Sequence, residues 1–353
     1  MLGQVIILLS MVLVATISPE MSIEEQSKCV DEKYRSLACT KTADDKLSLP
    51  EKDKMITLGL YGNNRKERCS AMGSIAMRPA CSAVIDQIFS EELRIEEENL
   101  RTIASWDVNS TEKRVIAFGL YGNKPKYVHG CLVNIKLSKL YYPGWVCRFY
   151  VTGVDKSTAE LLRKAGGEVV EVESSSSGHM LSRFMVADDP AVDRFVVRDV
   201  DSRLNSRERF AVQEWIESGL KIHTMRDHIN QFYEYNGGMW GGTKQCMPQL
   251  IKNIKNMTLE QKMGGMADIF ALVGVWSTYK NDTMAHDSYT CPKYIKEGHV
   301  HLRAFPTRRP FNYLHVGQVF NENDQPRMND VDRFLRGQPA PESCRRNASW
   351  IFG

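Results

Sequence analysis

Between Glu112 and Glu208 the chain alternates short apolar runs with amphipathic stretches, and this rhythm restricts the fold more than any other feature. RVIAFGLYG, from Arg114, reads as a buried strand ending in a glycine loop, and YVHGCLVNIKLSKLYY as a helix that stops before Pro143. VCRFYVTG then reads as a strand, TAELLRKAGG as a helix closed by glycines, and EVVEVE as a third strand. Such βαβαβ order predicts a mostly parallel α/β sheet with helices on both faces. Ligands of these sheets collect at the carboxyl ends of the strands.

A fourth apolar run, RFVVRD, ends at Asp199, with Asp201 one residue beyond it in FVVRDVDSRLNSRE. In extended chain residues i and i+2 point the same way, so both carboxylates can aim at one point beyond the sheet. Two carboxylates suit a hard divalent ion such as manganese or magnesium and leave positions open for a diphosphate. A plain turn is the competing reading. Asn205 with Glu208 three residues on spells a capping box for a following helix, with Ala211, Val212, Trp215 and Ile216 on its apolar face. Capping is thereby assigned elsewhere, and the two acids are left for chemistry.

The DVD element after FVVR, preceded by FGLYGNKPKYVHG and YYPGW, resembles the DxD motif of GT-A fold, nucleotide-sugar-dependent glycosyltransferases over about residues 115–320. The resemblance implies a Rossmann-like GT-A fold, with Asp199 and Asp201 holding a divalent metal, Mn2+ or Mg2+, on the diphosphate of a nucleotide-sugar donor. Gly119 and Tyr121 of the opening strand, and the loop NGGMWGGTK with Gly237, Gly238 and Trp240, are candidate substrate contacts. Arg198 and Arg203 flank the acids, where they serve phosphate oxygens or pair with carboxylates. Asp268 in GGMADIFAL sits where many such enzymes carry an acid near the acceptor, making it the candidate catalytic base; Ile269 follows it where those enzymes carry Gln. A C-terminal histidine often completes the family's metal shell, and His286 and His315 are the two candidates. Arg308 and Arg309 in FPTRRP read as a solvated basic turn.

Compartment signals lie outside this core. Val5 to Ile17 is an uncharged apolar run shorter than the roughly 20 residues a spanning helix needs, so residues 1–19 read as a secretory signal peptide or signal anchor. Nine cysteines without a CxxC pair, and acceptor triplets at Asn109, Asn256, Asn281 and Asn347, fit the ER or Golgi lumen or secretion. Residues 20–110 form a cysteine-containing region with an acidic helix at Ile85–Ile103 and a LGLYGNN segment echoed at Phe118–Lys124; residues 111–330 form the transferase-like domain, and 331–353 a tail. SSSSG at Ser174–Gly178 reads as a flexible surface segment. A formal charge of +3 gives no reason to invoke nucleic acid. The expected activity is sugar transfer to a glycan, protein or lipid hydroxyl. A non-catalytic glycan-binding or scaffold protein, or a phosphatase using the first acid as nucleophile, is the alternative.

Overall fold

The computed structural model describes residues 79–106, 110–173, 180–310 and 312–353. The N-terminal apolar run, the first three cysteines, the LGLYGNN segment, Asn109 and the Ser174–Gly178 run lie outside them. Chain contacts define two units, one of residues 1–47 and 63–95, the other of residues 48–62 and 96–353. Of the first, only residues 79–95 are described, the start of helix α1 (Pro79–Ala104).

The second unit is built on an eight-stranded sheet. Its strands are β1 (Arg114–Tyr121), β2 (Trp145–Thr152), β3 (Glu168–Glu171), β4 (Arg194–Arg198), β5 (Ile222–Arg226), β6 (Trp240–Thr243), β7 (Thr283–Asp287) and β8 (Leu302–Arg303). They lie in the order β3-β2-β1-β4-β6-β5-β7-β8. Every neighbour pair is parallel except β6, which runs antiparallel to both β4 and β5. This is the mostly parallel mixed sheet expected of the GT-A-like class.

Period-two patterning decides how the layers cover it. Ile116, Phe118 and Leu120 of β1 face one layer, formed by α2 (Pro125–Tyr141), α3 (Lys156–Ala165) and α4 (Ser206–Ser218) through Leu137, Leu162 and Trp215. Val115 and Ala117 face the other. That layer comprises a short 3-10 helix, Ser182–Asp188, with α5 (Pro248–Asn256) and α7 (Ala267–Val273), packed through Phe184, Leu250 and Leu272; α6 (Leu259–Met263) lies between those two helices in sequence. Left-handed glycines at Gly166 and Gly219 end α3 and α4, where a Cβ is sterically costly. Asn205 caps α4 by accepting from the Glu208 N–H at 3.0 Å. Only half of the expected capping box forms, because the Glu208 carboxylate turns inward to Arg198.

Residues 331–353, read from sequence as a tail, pack into the same unit. Val331 of α8 (Met328–Phe334) and Leu335, its C-cap, join Tyr313 and Phe320 in a buried cluster, and a disulfide joins Cys344 to Cys291. Arg346 forks onto Glu214 of α4. Cys131, Cys147 and Cys246 are buried thiols; burial pushes Cys147 and Cys246 up to about 12, so neither is a ready nucleophile. Asn256, Asn281 and Asn347 are all exposed.

Closing a loop between residues 53 apart removes unfolded-state entropy worth about 4 kcal/mol on the chain-entropy model. Replacing Cys291 and Cys344 together with Ala should lower the Tm by on the order of 10 °C, read by calorimetry. Acid should also destabilise the unit. His223 and His286 are fully buried and hydrogen-bonded to each other at 2.8 Å, and burial holds both below the ordinary 6.5, overcoming the Glu214 carboxylate that pulls His286 upward. The unfolded chain therefore takes these protons first, and stability falls as pH drops below about 6.5. The urea midpoint should be lower at pH 5.5 than at pH 7.5, by less in His286→Gln.

Candidate functional site

Sheet order places the site. On leaving β1 the chain winds outward through β2 and β3, then returns to lay β4 on β1's other side, with Phe118 opposite Arg198. Crevices form beyond strand ends at such reversals. Asp199 is the first residue past β4 at that point.

The DVD turn is clamped from behind. Ser202 donates from its N–H and its hydroxyl to the Asp199 carbonyl, at 3.1 and 2.7 Å. Asn134 of α2, fully buried, donates to the carbonyls of Val200 and Ser202 and accepts from the Leu204 N–H. One turn earlier Gly130 lies so near that a Cβ there would meet the Val200 carbonyl oxygen at 2.0 Å. The Phe320 N–H, from the C-terminal part of the unit, donates to the Asp201 carbonyl at 2.7 Å.

Two cations receive the acids. Arg183, in the 3-10 helix, bridges Asp199 and Asp268 through different nitrogens, the second contact at 3.0 Å. Lys126, in the first turn of α2, meets Asp201 Oδ2 at 2.7 Å. Asp199 keeps 46% of its side chain exposed and Asp201 17%. Burial raises the Asp268 carboxyl above its ordinary value, Arg183 opposes that shift, and Asp199 adds to it. Arg183 stays charged, since its two acids outweigh the burial that acts to lower it.

The glycine loop presses against this cluster. A Cβ at Gly237 would meet Asp268 Oδ2 at 2.0 Å, and one at Gly238 would meet Asp199 Oδ2 at 2.1 Å. Neither position has a positive φ, so close approach, rather than a turn, is what requires glycine here. Among the described residues, Asp199 Oδ2 and Asp201 Oδ1 accept no hydrogen bond, leaving one hard oxygen on each acid. Each is the kind of oxygen a hard divalent ion takes. Asp199–Ser202 form a turn, closed by the Ser202 N–H on the Asp199 carbonyl, rather than the extended chain expected from sequence, and the Gly237–Gly238 backbone cradles the Asp199 and Asp268 carboxylates themselves.

Other sequence candidates lie elsewhere. Arg198 is buried against Glu208 at 3.1 Å, and Arg203 against Asp324 at 2.9 Å, so both take the carboxylate-pairing role instead of facing phosphate. Trp240 is fully buried between Phe184 and Phe195, edge to face, and offers no ring to a sugar. His286 spends both ring nitrogens, one on His223 and one on Glu214, leaving no lone pair for a metal. His315 is buried beside His228, its rings 4.6 Å apart by centroid, with Nδ1 unpartnered; burial keeps it neutral. It lines a small cavity with Arg203 and Phe320. Among the described residues no third His, Cys, Asp or Glu closes on a common point with Asp199 and Asp201. Gly119 is half-buried within β1, while Tyr121 is exposed at its carboxyl end, on the crevice side. Arg309 does not belong to a solvated turn: it is buried on Asp227, together with Arg207.

Sequence reading missed Arg183 and Lys126. Arg183 is a lone basic residue in the apolar run LSRFMVA, a pattern that signals a buried partner. Lys126 sits in GNKPKY, where nothing local separates it from an ordinary surface lysine.

No family model matches the chain, and no curated protein matches it either. Among solved structures, it is similar to a mannosyltransferase from Pyrobaculum calidifontis in complex with GDP-Man and Mn2+, at 12% identity and a TM-score of 0.29, covering 46% of this chain and 55% of that one. It is also similar to glucosyl-3-phosphoglycerate synthase from Mycobacterium tuberculosis in complex with phosphoglyceric acid, at 11% identity and a TM-score of 0.34, covering 54% and 72%. A protein described as a glucose-1-phosphate thymidylyltransferase from Bacillus anthracis matches at 9% identity and a TM-score of 0.34, covering 57% and 98%. The chain thus spans little more than half of the first of these, and at such TM-scores the functional reading rests on the geometry above.

Gly238→Ala tests the cradle directly. Its methyl must displace the Asp199 carboxylate, so Mn2+ binding by calorimetry should weaken about 10- to 100-fold, as for other disturbed metal-ligand orientations. Gly265→Ala, where a Cβ meets nothing within 4 Å, should leave it unchanged.

Proposed function

We propose that the chain is a metal-dependent glycosyltransferase of the secretory pathway, moving a sugar from a nucleotide-sugar donor to a hydroxyl of a glycan, protein or lipid. The observation that carries this reading is the Asp199–Arg183–Asp268 bridge at the carboxyl end of β4, with Asp201 two residues on and the Gly237–Gly238 backbone lying against it.

Asp199 and Asp201 would hold the divalent ion, each through the oxygen its cation leaves unused. Bound there, the ion would supply Lewis-acid stabilisation of the departing diphosphate. Arg183 fixes Asp199 and Asp268 relative to each other, so the metal-binding acid and the base keep one spacing. Asp268 would take the proton of the acceptor hydroxyl as that oxygen attacks the anomeric carbon and the bond to the diphosphate breaks. Its raised affinity for protons makes it a stronger base than an exposed aspartate. Gly237 and Gly238, lacking side chains, let the Asp268 and Asp199 carboxylates lie directly against the loop backbone. Tyr121 offers an exposed ring at the end of β1 for the nucleotide base. The Cys291–Cys344 disulfide and the three exposed acceptor triplets support the luminal setting. No helix among the described residues is long and apolar enough to cross a membrane.

Purified protein with Mn2+ should turn over one member of a nucleotide-sugar panel, and Asp201→Asn should abolish this. Asp268→Asn should bind donor normally yet lose about 10²- to 10⁴-fold in kcat, the usual contribution of a positioned base. In the wild type, kcat should fall with acidification through a value above the ordinary 3.8 of an aspartate, as Asp268 gains its proton. Absence of donor binding across the panel would sink the proposal.

A further inference from the structure

Lys126 occupies an electrostatically awkward position. It is the second residue of α2, a 17-residue helix with no acidic residue in its first turn and no side-chain cap on its N-terminal N–H groups. The amino end of a helix carries a partial positive charge, so a lysine there is repelled by its own helix. Lys126 is held against that repulsion by Asp201, at 2.7 Å, and its ammonium also lies 5.1 Å from the Tyr127 ring centroid. The pair is only partly screened, at 30% and 17% exposure. The backbone of Asp201 is held in turn by the Phe320 N–H on its carbonyl.

A divalent ion on Asp201 Oδ1 would weaken what holds Lys126 on Oδ2. The carboxylate's charge would then be shared with the ion, and the ammonium would face two positive neighbours, the ion and the helix end. Four rotatable carbons let it leave. The nearest group able to receive both it and the helix N-terminus is an anion docked on the ion. Resting on the metal-dependent reading above, we infer that Lys126 is an exchangeable counter-ion. It occupies Asp201 when the site is empty and passes to the donor's diphosphate when metal and donor bind. Lys126 thereby makes the two bindings cooperative: metal alone is opposed, and metal with diphosphate is favoured. By linkage, each ligand strengthens the other by the same factor.

The test uses the full chain, Mn2+, and UDP and GDP as diphosphates. Mn2+ affinity without nucleotide is read from the paramagnetic resonance signal of the free ion. Nucleotide affinity of the Mn2+-loaded protein is read by calorimetry. Lys126→Met should bind Mn2+ alone about two- to fivefold more tightly, the fold-change expected for losing a partly exposed ion pair that competes with it. The same variant should bind UDP or GDP more weakly than wild type, so the two effects have opposite signs. Lys126→Arg should shift Mn2+ affinity less than Met does. Unchanged or weaker Mn2+ binding by Lys126→Met overturns the inference while leaving the metal reading intact. So does nucleotide binding that fails to weaken. If neither protein binds Mn2+, both the inference and the metal reading fall. Mn2+ binding by Lys126→Met alone upholds both. A thermal melt confirms that the variant folds.

Discussion

The Arg198–Glu208 ion pair sits where β4 gives way to α4, and both side chains are almost wholly buried. Taking two charges out of water is costly, and such a pair survives only with close geometry and further hydrogen bonds. Arg198 has these, donating to the carbonyls of Val197 and Trp240 as well as to Glu208. The pair therefore joins β4, β6 and the first turn of α4 at one point. Losing one partner leaves a buried charge uncompensated, a loss of about 3–5 kcal/mol in comparable cases. Because Glu208 is committed here and Asn205 to the cap, neither draws on Asp199 or Asp201.

The five charged groups of the site follow a similar economy. Three carboxylates, Asp199, Asp201 and Asp268, face two cations, Arg183 and Lys126, so the cluster retains one net negative charge. A fully neutralised cluster has little left to attract a metal, and an unneutralised one repels itself. Arg183 is planar, buried and shared between two acids, which suits a fixed brace. Lys126 is flexible, more exposed and paired once, which suits a group that moves. The two cations differ in kind as well as in place.

Much of the fold was legible because its signals are local. Short apolar runs marked β1, β2 and β4, glycines marked the end of α3, and Asn205 marked the start of α4. The acids were legible for the same reason, since position relative to a strand end is a local property. Partnerships were not. Arg203 finds Asp324 across 121 positions, Arg183 finds Asp268 across 85, and Lys126 finds Asp201 across 75. Flanking position suggested that Arg198 and Arg203 served the ligand, whereas the desolvation cost of a buried guanidinium commits each to a carboxylate. Trp240 failed similarly: a sheet residue between two buried aromatic rings belongs to the core, however many glycines surround it. His286 read as a metal ligand by chain order, yet its place in β7 aims it at Glu214 on α4.

A DVD triplet alone does not make a site, and the C-terminal part of the unit shows why. Asp324 accepts from Arg203 and from His129 of α2, while Phe320, four residues earlier, donates its N–H to Asp201 and lays its ring under the Arg203 guanidinium. Asp324 adopts a left-handed conformation, which Asp tolerates better than most residues, to make both contacts from a tight turn. One side of the acid turn is thus fixed by α2, through Gly130 and Asn134, and the other by residues 320–324. Neither clamp is redundant, because α2 fixes the carbonyls of Val200 and Ser202 whereas the C-terminal segment fixes that of Asp201. The backbone of Asp201 is thus held by a segment more than a hundred residues downstream. Val331 and Leu335 pack against Phe320, so the C-terminal residues support the segment that holds the acid turn from this side.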